Sequence, residues 1–161
     1  MTGEKKASAI KYHRRTLLDA ADRLLTEYGY AGMNMNMLAK EAGYSKATVY
    51  VYFESKDEIV AELALRRLEL MRSELKLLVK SDLDTEEKFA EIRKTLDEFA
   101  AEDGVYFDFV CALRGDEPYA EELKRDVSDI LSDLSQLAPE PELKARWYAY
   151  YGKKKTQSLF E

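Results

Sequence analysis

The side chains able to do chemistry crowd into one short stretch. Residues 34–56 read NMNMLAKEAGYSKATVYVYFESK, and Lys46, Thr48, Tyr50 and Tyr52 place an ammonium and three hydroxyls close together. With Asn36, Ser45 and Lys56 nearby, and the small Ala47 between them, this is a hydrogen-bonding set, not a reacting one. Ammonium and phenol groups donate well to phosphate oxygens, and hydroxyl, amide and ammonium groups reach base edges in a major groove. Elsewhere no nucleophile–base pair, metal cluster or glycine-rich phosphate loop stands at a usable spacing. One histidine and one cysteine leave no zinc-ligand cluster and no internal disulfide. Paired acids such as Glu86-Glu87 and Glu121-Glu122 fall on exposed helix faces. The expectation is therefore no catalytic residue, no metal and no cofactor.

The elements that must position these groups follow from local signals. Asn34 can cap a helix carrying Met35, Leu38, Ala39 and Ala42, and Gly43 stops it, because glycine takes the left-handed conformation without steric cost. Ser45 is a fresh N-cap for a second short helix, 46–51, so the spacing is that of a helix-turn-helix. Ala39, Ala42 and Gly43 let the two helices approach, with Leu38, Val49 and Phe53 beneath. Ser55-Lys56-Asp57-Glu58 reads as a capping box that starts a third helix and sets Lys56 at its positive end, where a phosphate would sit well.

In Gly29-Tyr30, Leu38-Ala39, Ala42-Gly43-Tyr44-Ser45-Lys46, Thr48-Val49-Tyr50, Tyr52-Phe53 and Ser55-Lys56, the first 60 or so residues resemble the tetracycline-repressor (TetR) family of bacterial transcription regulators. The family usually has Thr or Ser where Asn34 stands, Gly where Ala47 stands and His where Tyr52 stands, departures that bear on operator sequence. The resemblance implies DNA contacts from Lys46, Thr48 and Tyr52 near base edges and from Tyr50 and Lys56 on phosphates. It also implies a C-terminal half that binds a small ligand, pairs into a homodimer on a palindromic double-stranded DNA operator, and releases the operator when the ligand binds. Relatives run longer by about one helix.

Charge divides the chain in the same place. The net charge is −6 over 161 residues, yet residues 1–56 hold nine Lys/Arg and six Asp/Glu, for +3, whereas 57–161 hold 16 and 25, for −9. The basic end is the reading end, and an acidic remainder makes contact with DNA local and salt-dependent. A hydrophobic content of 46% with 35% charged residues describes a helical protein with a real core. No apolar run approaches the roughly 18 residues that span a bilayer, and the N-terminus lacks a signal core, so the expectation is a cytoplasmic protein with no membrane partner.

Periodicity makes the whole chain all-α, in two domains: a helix-turn-helix domain over 1–55 and a helical ligand-binding and dimerisation domain over 56–161. Residues 1–9 read as a flexible arm with Lys5 and Lys6 near DNA. A first helix over 10–28 buries Leu17, Ala21, Leu24, Leu25 and Tyr28 and ends at Gly29, leaving His13 on an exposed face. The helix from residue 55 runs unbroken to about residue 80, some 37 Å at about 1.5 Å per residue, and is the mechanical link between the domains. Asp84 and Glu87 cap the next helix. VYFDFVCAL, 105–113, is read as a buried helix because nothing in the chain could pair with it as a strand. Helices over 118–137, with Pro118 in its first position, and 141–151 follow, and a homodimer is expected to join chiefly through these two, with the stripe from Leu123 to Leu137 as the apolar surface. A mostly apolar cavity in the acidic half is expected, lined by Phe89, Phe99, Tyr106, Phe109 and Cys111. The competing expectation is a helical protein-interaction module, or a truncated regulator without ligand sensing.

Overall fold

The computed structural model describes residues 3–152, and within them eight helices and no strand. They are α1 (Gly3–Gly32), α2 (Met35–Ala42), α3 (Lys46–Tyr52), α4 (Lys56–Val79), α5 (Thr85–Glu102), α6 (Gly104–Cys111), α7 (Ala120–Leu134) and α8 (Glu140–Tyr151). The protein is all-α, a helix-turn-helix N-terminal part followed through a long helix by a helical C-terminal part. Two compact units divide it, Met1–Leu63 and Ala64–Glu161, so that the boundary falls inside α4. The segment 153–161 and the first two residues of the expected arm lie outside the described residues.

In the first unit the 3.6-residue period of α1 puts Leu17, Leu18, Ala21, Leu24 and Leu25 on one buried stripe. Leu38, Val49, Phe53, Ile59 and Val60 close over it, all with 1% exposure or less. The described part of the expected arm is helical instead. Glu4 lies in the first turn, where it meets the positive end of the helix, and no breaker separates it from the packed stripe, so the helix propagates outward with exposed side chains. Gly29, at φ 70° and ψ 177°, breaks the helix as expected, and α1 is two helical stretches joined across this kink. One further turn follows, closed by the Met33 amide on the Gly29 carbonyl (3.2 Å) and anchored by the buried Met33 side chain; Tyr28, expected inside, is half exposed.

In the second unit α4 contributes Leu68, Met71 and Leu75; α5 Ile92, Leu96 and Phe99; α6 Tyr106, Phe107 and Val110; and α7 Leu123, Val127, Ile130 and Leu134. The apolar 105–113 run is the helix its lack of partners requires. Asp84 and Glu87 form a reciprocal capping box, the Glu87 amide on Asp84 Oδ1 at 2.9 Å and the Asp84 amide on Glu87 Oε2 at 3.0 Å. Pro118 does not open α7, which begins at Ala120. Glu117 turns its carboxylate back onto the amides of Arg114 (3.1 Å) and Gly115 (2.9 Å), which holds its carboxyl below the usual range and spends the approach to the helix on a tight turn. Arg72 pins α7 to α4 through Asp129 (2.7 Å) and Asp133 (2.6 Å). The stripe expected to serve a dimer therefore faces the unit's own core, with Leu123 fully buried and Val127, Ile130 and Leu134 each at 9% or less.

Candidate nucleic-acid interface

The turn between α2 and α3 is built as its local chemistry dictates. Asn34 Oδ1 accepts from the amides of Asn36 and Met37, each at 3.0 Å, and Gly43 ends α2 at φ 74° with its amide on the Lys40 carbonyl. The Tyr44 amide then bonds to the Ala39 carbonyl at 2.9 Å. Ser45 Oγ accepts from the Thr48 amide at 3.0 Å and starts α3. Of the seven residues in α3 only Val49 is buried, so the helix is held by one anchor below and presents its other faces outward.

Those faces sort the expected contact residues. Lys46, Ala47, Tyr50 and Ser45 are exposed together, and Val51, absent from that set, is the most exposed large apolar side chain among the described residues at 76%. The Lys46 ammonium lies 6.0 Å over the Tyr50 ring, so charge and phenol occupy one surface. Thr48 is half-buried, and its hydroxyl is engaged with Ser45 Oγ at 2.7 Å. Tyr52 is half-buried too, its ring 5.6 Å from that of His13. Asn36 is exposed on α2. Lys56 stands apart: its ammonium donates to the main-chain carbonyls of Tyr30 (2.7 Å) and Met33 (3.2 Å) and lies 3.9 Å over the Tyr30 ring. Tyr30 in turn donates to the Asp57 carboxylate. The box at the start of α4 is shifted by one residue, since Ser55 Oγ caps the Glu58 amide while Glu58 reaches back to the Glu54 amide at 2.7 Å.

Two residues of α1 position this surface. His13 Nδ1 lies 2.7 Å from the Tyr44 hydroxyl, with its ring edge-on to Tyr44. Arg14 donates to the Tyr52 carbonyl and to Glu62, and its guanidinium stacks 4.1 Å from the Phe53 ring. His13 is thus half-buried, not the solvated side chain of an exposed face, and both partners lie more than 30 residues away, beyond any local signal.

The second unit holds a cavity of about 420 Å³ between α5, α7 and α8, within the roughly 300–1,000 Å³ usual for small-molecule pockets. Phe89, Ile92, Leu96, Leu131, Leu134, Leu143 and Trp147 form its apolar wall, and Glu86, Arg93 and Arg146 supply its charged groups. A second, wholly apolar void of about 40 Å³ shares Leu96, Leu131, Leu134 and Trp147 with it and adds Phe99 and Phe107. Of the expected lining, Phe89 and Phe99 are in place, one in each space. Tyr106 is buried in the core with Arg67 over its ring at 5.7 Å, Phe109 packs on Tyr119 at 5.5 Å, and Cys111 lines neither cavity. The residues missed, chiefly Leu131, Leu134 and Trp147, carry the same apolar signature as core.

An exposed seven-residue helix, set by a glycine turn against a capped partner and backed by α1, defines a helix-turn-helix DNA-binding head. Residues 17–63 match the profile described as bacterial regulatory proteins, tetR family, so the N-terminal part of the chain is similar to that family's. A curated relative, the uncharacterized HTH-type transcriptional regulator YhgD of Bacillus subtilis (strain 168), is 32% identical over 59 residues, 37% of this chain and 31% of that protein, so the match spans about a third of the relative's length. The TetR family transcriptional regulator PfmR from Thermus thermophilus has the same fold with a TM-score of 0.58 at 23% identity, covering 75% of this chain and 66% of that one. The transcriptional regulator FadR from Bacillus subtilis, solved in complex with stearoyl-CoA, shares the fold with a TM-score of 0.52 at 23% identity over 76% of this chain and 65% of that one. Among the described residues no helix is long and apolar enough to cross a membrane.

Proposed function

We propose that this chain is a cytoplasmic transcriptional repressor that binds a palindromic operator as a homodimer and is released by a small, mostly apolar ligand. The observation that carries the reading is the outward surface of α3, where Ser45, Lys46, Ala47, Tyr50 and Val51 stand free of the core on a helix short enough to enter a major groove. Lys46 reads base edges, with Thr48 and Tyr52 at the margins of the same surface, and Ala47 and Val51 offer the apolar contact that a thymine methyl requires. Tyr50 holds a phosphate, and Lys56 can hold another with the N–H left after its two carbonyl bonds. Asn36 lies on the flanking helix, within reach of the backbone or a base. Residues 1–55 serve as the reading domain and 56–161 as the ligand-binding and dimerisation domain.

The cavity between α5, α7 and α8 is the ligand site of this reading. A ligand there changes DNA affinity only by favouring one of two arrangements of α4, the helix common to both units. Selection of bound duplexes from a random pool tests DNA binding and dimerisation together. A palindromic winner is the expected result; no enrichment would leave a helical protein-interaction module.

A further inference from the structure

We infer that the cavity selects a monoanionic amphiphile, an apolar chain ending in a single carboxylate, and discriminates against both the neutral alcohol and a polyanionic thioester of the same chain. The inference rests on the proposed ligand site and names the class of its guest. The wall is apolar, and the charged groups that line the space are two arginines, Arg93 and Arg146, against one carboxylate, Glu86. Arg146 is already prepared for planar recognition. Its guanidinium lies 4.0 Å from the centre of the Phe89 ring, which fixes its plane, and Glu142 holds Nε and Nη2 at 3.2 and 3.0 Å. Its contact with Glu86 is looser, at 3.9 Å, and the Glu86 side chain is 81% exposed. A guest carboxylate takes the place of that loose, solvated partner while the stacking and the Glu142 bonds stay, so the exchange costs little and gains a charge-assisted hydrogen bond at the end of an apolar wall.

The same charges set an upper limit on the guest's charge. With Glu142 on the same guanidinium, two arginines face two carboxylates, so displacing Glu86 from Arg146 makes room for one anionic group and leaves no spare positive charge for a second. Residues 64–161 hold 22 Asp/Glu against 16 Lys/Arg, so a head group bearing several phosphates meets repulsion from the surrounding surface. The small void behind Leu96, Leu134 and Trp147 gives the far end of an apolar chain somewhere to extend without meeting a polar group.

Trp147 is the only tryptophan in the chain and lines both spaces, so the full chain carries its own probe. Titration of the full chain with dodecanoate, dodecanol and dodecanoyl-CoA, followed by Trp147 emission, is expected to give saturable shifts with dodecanoate on the order of tenfold tighter than either competitor, the ratio one charge-assisted bond supplies. Arg146→Met should remove the preference for the acid over the alcohol, and Arg146→Lys should retain part of it; Arg93→Gln, at an exposed position, gives a second reading should the Met variant unfold. Equal affinity for acid and alcohol, or tighter binding of the thioester, overturns the inference and leaves an apolar-ligand site of another class. No emission change with any of the three overturns it together with the ligand site, while operator binding, measured separately, decides whether the DNA-reading proposal survives.

Discussion

Lys46 and Lys56 are ten positions apart and do different work. Lys46 is exposed on α3 with the Tyr50 ring as neighbour, whereas Lys56 is half-buried and closes the end of α1 onto the start of α4. Lys46→Ala is expected to change which operators bind, as read by duplex selection, with melting temperature unmoved. Lys56→Ala should weaken all sequences alike and reduce the salt slope by about one unit. Because two main-chain carbonyls lose their donor, it should also lower the head's stability by about 1 kcal/mol, seen as a lower melting temperature. A salt slope equal to the unsubstituted chain's would remove Lys56 from the phosphate contacts. The identities of these lysines were readable from sequence; their division of labour was not, since Tyr30 and Met33 lie 26 and 23 residues away.

Elements were legible wherever their ends are local chemistry. Asn34, Ser45 and the Asp84–Glu87 box are each decided by a side chain and an amide within three residues of it, and Gly43 by its left-handed backbone, and they stand where the pattern put them. The failures come from competition for the same groups. Glu117 could have served a helix beginning at Pro118 and instead serves the turn at Arg114 and Gly115; the break at Gly29 was legible, but the further turn that the Met33 amide closes on the Gly29 carbonyl was not. Of the aromatic residues around the two spaces Phe89 and Phe99 were named while Trp147 and Phe107 were not, and aliphatic walls look like core from any sequence. Gly43→Ala forces a left-handed φ of 74° on a residue with a Cβ, with open space around it, so the cost is backbone strain alone, about 1 kcal/mol. Chemical denaturation should show it as a shifted midpoint with an unchanged slope.

At the scale of the molecule, ion pairs and surface leucines carry the testable consequences. Hydrogen bonding from Arg72 holds the Asp133 carboxyl below its ordinary range. A lowered folded value means the contribution is fully present above the unfolded value of about 3.9 and is lost as pH falls through the folded one. Burial raises Asp126, with Glu69 adding to it, so its contribution has the opposite sign and is lost as pH rises. Asp133→Asn should therefore lower the melting temperature at pH 6, and the gap to the unsubstituted chain should narrow by pH 3. A gap that stays constant across that window would show the pair contributes nothing to acid sensitivity. With the α7 stripe consumed internally, Leu70 and Leu77, one heptad apart on α4 and 59% and 73% exposed, are the most exposed large apolar side chains among the described residues of the second unit and offer a face to a partner copy. Sedimentation should show a dimer at tens of micromolar, and Leu70→Glu with Leu77→Glu should convert it to monomer if that face is the contact.

The chain has one imidazole and one indole, and the division of the fold gives each unit one of them. His13 sits among the rings of Tyr12, Tyr44 and Tyr52, which displace its carbon-bound proton resonances from their free positions. Trp147 sits against Phe107. Each signal is single and needs no label, so a thermal melt followed at both positions asks directly whether the chain unfolds as one cooperative body. Coincident curves would mean α4 transmits order across residue 63; a gap between them would measure how loosely it does so.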